Sequence, residues 1–299
     1  MAKSRVSKLV EPYIVRDGRK FRLKDFDPED TGGFQFDKEQ ASSVLQEGVN
    51  QLGDLQEKLY AQDRWGVLLV FQAMDAAGKD GAIKHVMTGI NPQGCQVYSF
   101  KQPSSEDLDH DFLWRNLVCL PERGRIGIFN RSYYEEVLVV RVHPELLSKE
   151  KLPSELVTKK IWKERYEDIN AVERYLARNG YVIRKFFLHI SKREQGKRFE
   201  KRLDEPEKQW KFSLSDVNER EHWKEYQDAY EDTIRHTATS HAPWVVVPSN
   251  KKWFARWVVA ATLIDALEEL NLEYPKVTPA KQLELQKGRR LLRADARKS

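Results

Sequence analysis

The chain has 299 residues, 40% of them hydrophobic, which is enough to bury a large core and exceeds the commonest domain size. Its longest apolar runs, residues 65–71 and 257–267, are shorter than the roughly 20 residues that cross a bilayer, and two cysteines without His or Cys at ligand spacing exclude a disulfide framework and a zinc site. The net charge of +5 does not predict nucleic-acid binding, because most of it lies in residues 276–299, a segment typical of a solvated tail. The charged, mixed N-terminal residues do not resemble an export signal, so the chain is predicted to be cytoplasmic, without a membrane or nucleic-acid partner.

Residues 1–37 are polar and rich in turn residues, and they predict an N-terminal arm. Residues 38–62 follow with apolar side chains at helical spacing, which predicts an amphipathic helix packed on a sheet. Short apolar runs then alternate with helical patterns. The predicted strands are 65–72, 96–100, 125–129, 181–190 and 244–248, and the predicted helices are 79–89, 105–118, 154–178, 215–240 and 251–272.

This alternation predicts an α/β fold of the P-loop kinase-like type, in which a five-stranded parallel sheet carries helices on both faces in three layers. Ligands of such sheets bind at the carboxyl ends of the strands. The catalytic domain is predicted over residues 38–275, followed by a flexible basic tail at 276–299. Within the domain, the almost continuously charged residues 191–214 predict a helical basic lid, although their composition is equally typical of a solvated surface helix.

The segment Phe71 to Gly81, FQAMDAAGKDG, follows the first long strand and opens a helix, as a phosphate-binding loop does. In such a loop, backbone N–H groups at a helix N-terminus meet phosphate oxygens while a lysine adds positive charge. Ala73 stands where the first glycine of the usual pattern lies, so a glycine turn without a ligand remains the alternative. The predicted phosphate-binding residues of the loop are Ala76, Ala77, Gly78, Lys79, Asp80 and Gly81.

A carboxylate, Asp75, lies inside this loop. Next to phosphates it would be repulsive unless a divalent cation lay between them. Asp80 likewise replaces the hydroxyl residue that usually contacts magnesium. Both carboxylates are therefore predicted to hold Mg²⁺, with Mn²⁺ as an alternative ion.

A second segment, Ile126 to Val142, runs from an apolar strand into Asn130 and Arg131. Walker-type proteins place a magnesium-binding Asp at such a strand end, and Asn130 lacks that charge, so Glu135 is predicted as a third metal group. Arg131 is predicted to contact phosphate, because a planar guanidinium at a strand end suits bidentate binding. An ion pair between Arg131 and a nearby glutamate is the alternative.

The lid segment supplies further cations. Arg198 and Arg202 are four residues apart, so they share one face of a helix. Cations above a phosphate site neutralise the charge that develops during phosphoryl transfer, as arginine fingers do. Arg198→Ala is therefore expected to reduce turnover far more than thermal stability. Lys208 and Lys211 are predicted to bind the same phosphates.

Five blocks between about residues 20 and 275 together resemble the polyphosphate kinase 2 family. They are FQAMDAAGKDG, GINPQGCQVYSFKQPSSEDLDHDFLWR, IFNRSYYEEVLVVRV, FFLHISKREQGKRFEKRLDEPEKQWKF and the later APW and VPSNKKWF segments. The resemblance implies a magnesium-dependent, reversible phosphoryl transfer between inorganic polyphosphate and a nucleoside mono- or diphosphate. It also implies that polyphosphate lies over the P-loop and beneath the lid, and that the nucleotide approaches from the opposite side.

By the same resemblance, Asp75, Lys79 and Arg131 match the family's phosphate and magnesium positions, and Arg198 and Arg202 match its lid arginines. The predicted catalytic residues are Asp75, Lys79, Arg131, Glu135 and Arg198.

The acceptor side departs from the family pattern at two positions. Asn130 replaces the Asp that many members carry, and Glu135 replaces an amide residue of the members restricted to ADP. This combination resembles the subgroup that phosphorylates both AMP and ADP, and the family resemblance implies a homodimer or homotetramer. The predicted nucleotide-binding residues are Asn130, Glu135, Trp114 and Arg115, with buried packing as the alternative role of Trp114.

Two other functions compete with this interpretation. An ordinary nucleotide kinase with ATP as donor shares the P-loop, sheet and lid, but it predicts a hydroxyl residue after Lys79, where this chain has Asp80. A polyanion-binding protein that uses the basic tail and lid leaves Asp75 and Asp80 without a role.

Overall fold

A six-stranded sheet forms the centre of the computed structural model, which describes residues 5–297. The strands lie in the spatial order β1-β6-β5-β2-β4-β3; all neighbours are parallel except β1, which runs antiparallel to β6. The predicted α/β fold class is confirmed, and β1 adds an edge strand that no sequence pattern indicates. The strands are β1 (Ile14–Val15), β2 (Gly66–Ala73), β3 (Cys95–Ser99), β4 (Ile126–Asn130), β5 (Tyr181–His189) and β6 (Trp244–Pro248).

Helices cover both faces of this sheet. They are α1 (Arg5–Val10), α2 (Lys38–Gln62), α3 (Lys79–Met87), α4 (Trp114–Leu117), α5 (Val139–Val142), α6 (Ile161–Arg178), α7 (Lys192–Asp204), α8 (Pro206–Gln209), α9 (Leu214–Asn218), α10 (Trp223–Thr237), α11 (Lys252–Glu268) and α12 (Pro279–Asp295). The long helix predicted at 105–118 is wrong in extent. Ser104 and Asp107 instead cap each other's backbone N–H groups (2.8 and 3.1 Å), which stabilises a turn before α4.

The central strand β2 is buried on both sides. Val67, Leu69 and Phe71 face one apolar cluster, formed with α2, α3 and α11, while Leu68 and Val70 face a second cluster formed with α6 and α10. Full burial of each such side chain contributes about 1.5–3 kcal/mol. The two-sided burial explains why β2 appears in the sequence as an unbroken apolar run.

The parallel register brings three strand ends together. Phe71 of β2 and Ser99 of β3 both pair with Asn130 of β4, so the chain leaves these strands at the same edge of the sheet. The backbone N–H of Arg131 donates to the Phe71 carbonyl (3.0 Å) directly beyond the last pair. The P-loop and Arg131 are therefore neighbours, as expected from strands that end at one edge.

A buried ion pair fixes the segment that follows Arg131. Lys185 on β5 donates to one carboxylate oxygen of Glu173 (2.6 Å), and Tyr133 and Tyr134 donate their hydroxyls to the other (2.9 and 2.8 Å). Burial raises the pKa of both tyrosines well above its usual value and lowers the pKa of Lys185. Because every charge here is hydrogen-bonded, the network ties residues 133–134 rigidly to α6 and β5.

The N-terminal arm packs against this domain. Tyr13, Phe21 and Leu23 are buried, and the backbone N–H of Leu23 donates to Glu231 on α10 (2.8 Å). At the other end of the chain, α12 has no buried residue. The flexibility predicted for residues 276–299 stays a prediction. No helix among residues 5–297 is both long and apolar enough to cross a membrane.

Candidate active site

The P-loop turns between β2 and α3 through two left-handed residues. Ala76 has φ = 59° and Gly78 has φ = 103°, a conformation that side-chain-bearing residues rarely adopt. Helix α3 begins at Lys79, so its free N–H groups point into the loop. The loop therefore presents backbone donors and a helix N-terminus to an anion, as the sequence predicts.

Burial lowers the pKa of Lys79 to about 8, and the opposing effects of nearby Glu135, Asp80 and Asp75 do not cancel it. The ammonium group is thus held where water cannot fully solvate its charge. A phosphate ligand would supply the missing negative charge.

Arg198 clamps the P-loop from the lid side. It is 7% exposed; its Nη1 donates to the carbonyls of Ala76 and Ala77 (3.0 and 2.8 Å), and its Nη2 donates to those of Ser249 and Asn250 (2.5 and 3.1 Å). Both terminal nitrogens thus donate to backbone carbonyls. The sequence instead predicts an arginine whose guanidinium faces phosphate. The arrangement indicates that Arg198 positions the loop.

Arg131 lies between two carboxylates. Its Nη1 donates to Glu135 (3.2 Å) and its Nη2 lies 3.6 Å from Asp75 Oδ1. Its φ of 65° is left-handed, a conformation that costs energy for a residue with a side chain. The side chain remains 44% exposed, so the ion pair with Glu135 does not remove its N–H groups from reach of a ligand.

A large cavity of about 820 Å³ opens above the P-loop. Among residues 5–297, its only acidic lining residues are Asp75 and Asp80, so its charge is strongly positive. All the predicted polyphosphate-binding residues line it, together with five cations that the sequence analysis did not single out. Its basic lining residues are Lys79, Lys84, Lys101, Arg131, Arg198, Lys201, Arg202, Lys208, Lys211, Lys252 and Arg256.

The lid residues approach this cavity from above. Arg202 on α7 pairs with Asp216 on α9 at 3.6 Å, and Lys211 lies 4.9 Å from the ring centre of Trp210. Lys208 pairs with Glu205 at the junction of α7 and α8. These cations are held by weak, partly exposed contacts, so a polyanion can compete for them.

A second cavity of about 210 Å³ meets the first. Both cavities are lined by Ala73, Met74, Asp75 and Arg131, so Asp75 and Arg131 form part of their common wall. The sequence predicts Glu135 as a nucleotide-binding residue, but it carries no local signal for the residues that α9, α10 and the turn between them contribute to this cavity. The other lining residues are Glu135, Val139, Gln195, Asp216, Glu219, Arg220, Tyr226 and Tyr230.

The four predicted nucleotide-binding residues do not meet. Asn130 lines the large cavity, where its amide donates to Asp80 (3.0 Å), whereas Glu135 lines the small one. Trp114 and Arg115 line neither. The rings of Trp114 and His110 stack with their centres 3.9 Å apart, and Arg115 donates to the Lys101 carbonyl (2.9 Å). The side chains of Trp114 and Arg115 are therefore engaged in local packing.

The predicted metal residues do not form a preassembled cage. Over residues 5–297, no group of three or more His, Cys, Asp or Glu side chains converges on one point. Asp75 and Asp80 face the large cavity, whereas Glu135 faces the small one and pairs with Arg131. Mg²⁺ is typically held by one or two carboxylates plus substrate phosphates. Asp75 and Asp80 line the cavity that a phosphate ligand would occupy, so they could share such an ion, and the predicted role of Glu135 at the metal stays a prediction.

The comparisons with known proteins agree with this geometry. The model of the family Polyphosphate kinase 2 matches residues 35–275. An ADP-polyphosphate phosphotransferase of Rhodopseudomonas palustris is 52% identical over 94% of this chain and 97% of its own length. An AMP/ADP-polyphosphate phosphotransferase of Meiothermus ruber is 45% identical over 91% of this chain and 98% of its own length. A crystal structure of polyphosphate kinase 2 from Arthrobacter aurescens superposes with a TM-score of 0.83 at 41% identity, covering 91% of this chain and 95% of that one.

Proposed function

Because the chain belongs to the polyphosphate kinase 2 family, we propose that this polyphosphate kinase moves a phosphoryl group between inorganic polyphosphate and AMP or ADP, with Mg²⁺ as its cofactor. One observation carries the proposal: a cation-lined cavity above the P-loop meets a smaller cavity at Asp75 and Arg131. A donor chain in the first and an acceptor in the second would bring their phosphates together at this common wall.

Polyphosphate fits the large cavity by charge. Backbone N–H groups at the start of α3 and the Lys79 ammonium meet its reacting end, and the lid cations Arg202, Lys208 and Lys211 meet phosphates further along. Phosphoryl transfer is catalysed mainly by positioning and electrostatic stabilisation. Arg131 stabilises the charge on the transferring phosphoryl group, while Arg198 holds the P-loop, which aligns that group.

Asp75 and Asp80 would hold Mg²⁺, or Mn²⁺ in its place, together with phosphate oxygens. Bound there, the ion supplies positive charge to the transferring phosphoryl group. Asp75 faces both cavities, which supports its place beside the reacting phosphates.

The acceptor nucleotide fits the small cavity. Tyr226, which is half-buried, offers aromatic surface for a base, and Arg131 offers a guanidinium for the acceptor phosphate. Glu135 hydrogen-bonds Arg131 at this site, so its carboxylate, in place of an amide, changes the charge that the acceptor phosphate meets. We assign the chain to the subgroup that accepts both AMP and ADP. A cytoplasmic homodimer or homotetramer stays a prediction.

The test of this function is a coupled assay of ATP and ADP formation. The protein is incubated with Mg²⁺ and either AMP or ADP, with polyphosphate as the only donor, and product nucleotides are separated and quantified. ADP and then ATP are expected from AMP, and ATP from ADP. A parallel incubation replaces polyphosphate by ATP, and transfer to AMP from ATP but not from polyphosphate would identify an ordinary nucleotide kinase. ATP from ADP without product from AMP would reject the subgroup.

Replacing Asp75 by asparagine is expected to lower turnover by at least about 10³-fold, because the amide cannot supply the charge that holds the metal beside the phosphates. The melting temperature should stay close to that of the wild type, since the side chain is one-third exposed (34%). The matched control is Asp54→Asn on the exposed side of α2, which should leave both quantities unchanged. Retained Mg²⁺-dependent turnover in Asp75→Asn would contradict the assignment.

The affinity for polyphosphate is expected to fall as pH rises through about 8, because Lys79, whose pKa burial lowers to about 8, then loses its charge. Between pH 7 and 9 the protonated fraction of the free protein drops about tenfold, and the KM for polyphosphate should rise by a similar factor. Lys79→Arg keeps the charge over this range, so its KM should change much less. An equal rise in Lys79→Arg would assign the dependence to another group.

A further inference from the structure

One polar side chain interrupts the buried apolar row of β2. Residues 67–71 of this strand are apolar and fully buried, and the next residue, Gln72, is buried as completely (0% exposed). A buried amide costs free energy unless its donors and its acceptor find partners. The partners of Gln72 therefore indicate why a polar residue stands at this position.

The amide of Gln72 contacts the segment that follows β4. Its nitrogen donates to Oε1 of Glu135 (2.8 Å), and its oxygen accepts from the hydroxyl (3.1 Å) and the backbone N–H (3.2 Å) of Ser132. The partners fix this orientation of the amide, because a carboxylate oxygen only accepts and a backbone N–H only donates. The Ser132 hydroxyl accepts in turn from the backbone N–H of Tyr134 (3.2 Å). Gln72 thus links the end of β2 to the residues after Arg131.

Glu135 is held at both of its carboxylate oxygens. Gln72 donates to Oε1, and Arg131 Nη1 donates to Oε2 (3.2 Å). The Glu135 side chain is 16% exposed and lines the small cavity, whereas Gln72 lines neither the large cavity nor the small one. Gln72 can therefore act on a ligand only through Glu135 and Arg131. Without the Gln72 donor, the carboxylate can rotate, and Arg131 can turn to Asp75, whose Oδ1 lies 3.6 Å from Arg131 Nη2.

This chain of hydrogen bonds has a donor at each end, the Ser132 N–H and the Arg131 guanidinium. Between them, one carboxylate and one amide satisfy every contact. Carboxylates at both positions 72 and 135 would bring two acceptors together at the contact that now measures 2.8 Å. Amides at both positions would bring two donors together at one of the contacts. The residue at position 72 therefore restricts the residue at position 135.

We propose that Gln72 is a positioning residue of the acceptor site, and that Gln72 and Glu135 act as one unit that aims the Arg131 guanidinium at the acceptor phosphate. The inference rests on the proposed function, which places the acceptor nucleotide in the small cavity, and it adds a fully buried residue that no ligand contacts. The carboxylate and the amide can exchange positions, because Gln72→Glu combined with Glu135→Gln retains one of each.

The first measurement uses Gln72→Met, which removes the amide without adding a charge. Equilibrium binding at fixed ionic strength compares AMP, without a donor, with long-chain polyphosphate, without a nucleotide. The Kd for AMP is expected to rise about tenfold or more, and the Kd for polyphosphate to change less than about threefold. The matched control is Gln56→Met, at a buried glutamine of α2 outside both cavities, which should leave both Kd values unchanged. Melting curves verify that both variants fold.

The second measurement is a double-mutant cycle on the Kd for AMP. Gln72→Glu and Glu135→Gln should each raise this Kd about tenfold or more, whereas the double variant should return to within about threefold of the wild type. Losses that add in the double variant would overturn the inference, as would a Gln72→Met protein with equal changes for both probes or no change for either.

These outcomes are separate from the test of the proposed function. A protein with the expected pattern of AMP affinities that transfers no phosphoryl group from polyphosphate contradicts only the proposed function. A wild type that does not bind AMP contradicts both.

Discussion

Replacing Arg131 by alanine is expected to lower kcat by on the order of 10³-fold or more. Arg131 lies where the two cavities meet, so its guanidinium can contact donor and acceptor phosphates together. The Arg131 side chain is 44% exposed. Alanine and arginine both disfavour the left-handed φ of this position, so the melting temperature of Arg131→Ala should be close to that of the wild type. Steady-state kinetics with saturating polyphosphate and nucleotide measure the effect.

Two further variants sharpen this prediction. Arg131→Lys keeps a charge but loses the planar fork, so it should recover only part of the activity. Arg174→Ala removes an exposed arginine from α6 and should match the wild type. If Arg131→Ala lowered the melting temperature strongly and left kcat within about tenfold of the wild type, the residue would be a structural ion-pair partner of Glu135.

Arg198→Ala is expected to reduce both stability and turnover. The buried guanidinium donates to four backbone carbonyls on the P-loop and the loop after β6, and its loss leaves these acceptors unpaired at a cost of about 2–4 kcal/mol. For a domain of this size that corresponds to a decrease in melting temperature of roughly 5–10 °C. Turnover should fall as well, because the P-loop is no longer held in place.

This expectation replaces the one drawn from the sequence, in which Arg198 acts on phosphate with little effect on stability. Arg202→Ala, one helical turn further along α7, is the matched comparison: it should raise the KM for polyphosphate and leave the melting temperature unchanged. A melting temperature for Arg198→Ala within about 1 °C of the wild type, together with a large loss of kcat, would restore the direct role.

The sequence predicts the parallel strands because each carries its own local signal, an apolar run that ends in a loop. It predicts the P-loop because Gly78 and Lys79 stand next to each other in the chain. Strand β1 carries no such signal: Ile14 and Val15 become a strand only because β6 offers an edge to pair with. The shortened α4 likewise depends on turn contacts that helical periodicity does not reveal.

The active site is less accessible to sequence reasoning, because its parts come from distant segments. That Arg198 is a clamp depends on carbonyls some fifty residues away, at Ser249 and Asn250.

The antiparallel pairing of β1 with β6 also has a consequence for solubility. An open sheet edge exposes unpaired N–H and C=O groups, which can recruit a strand from another molecule and start aggregation. Ile14 and Val15 occupy this position beside Val245 and Trp244, so the N-terminal arm shields one margin of the sheet. At the opposite margin, β3 has no outer neighbour within the described part of the chain, and Val97 is 46% exposed. A protein shortened by proteolysis after residue 15 would therefore have both margins open to self-association.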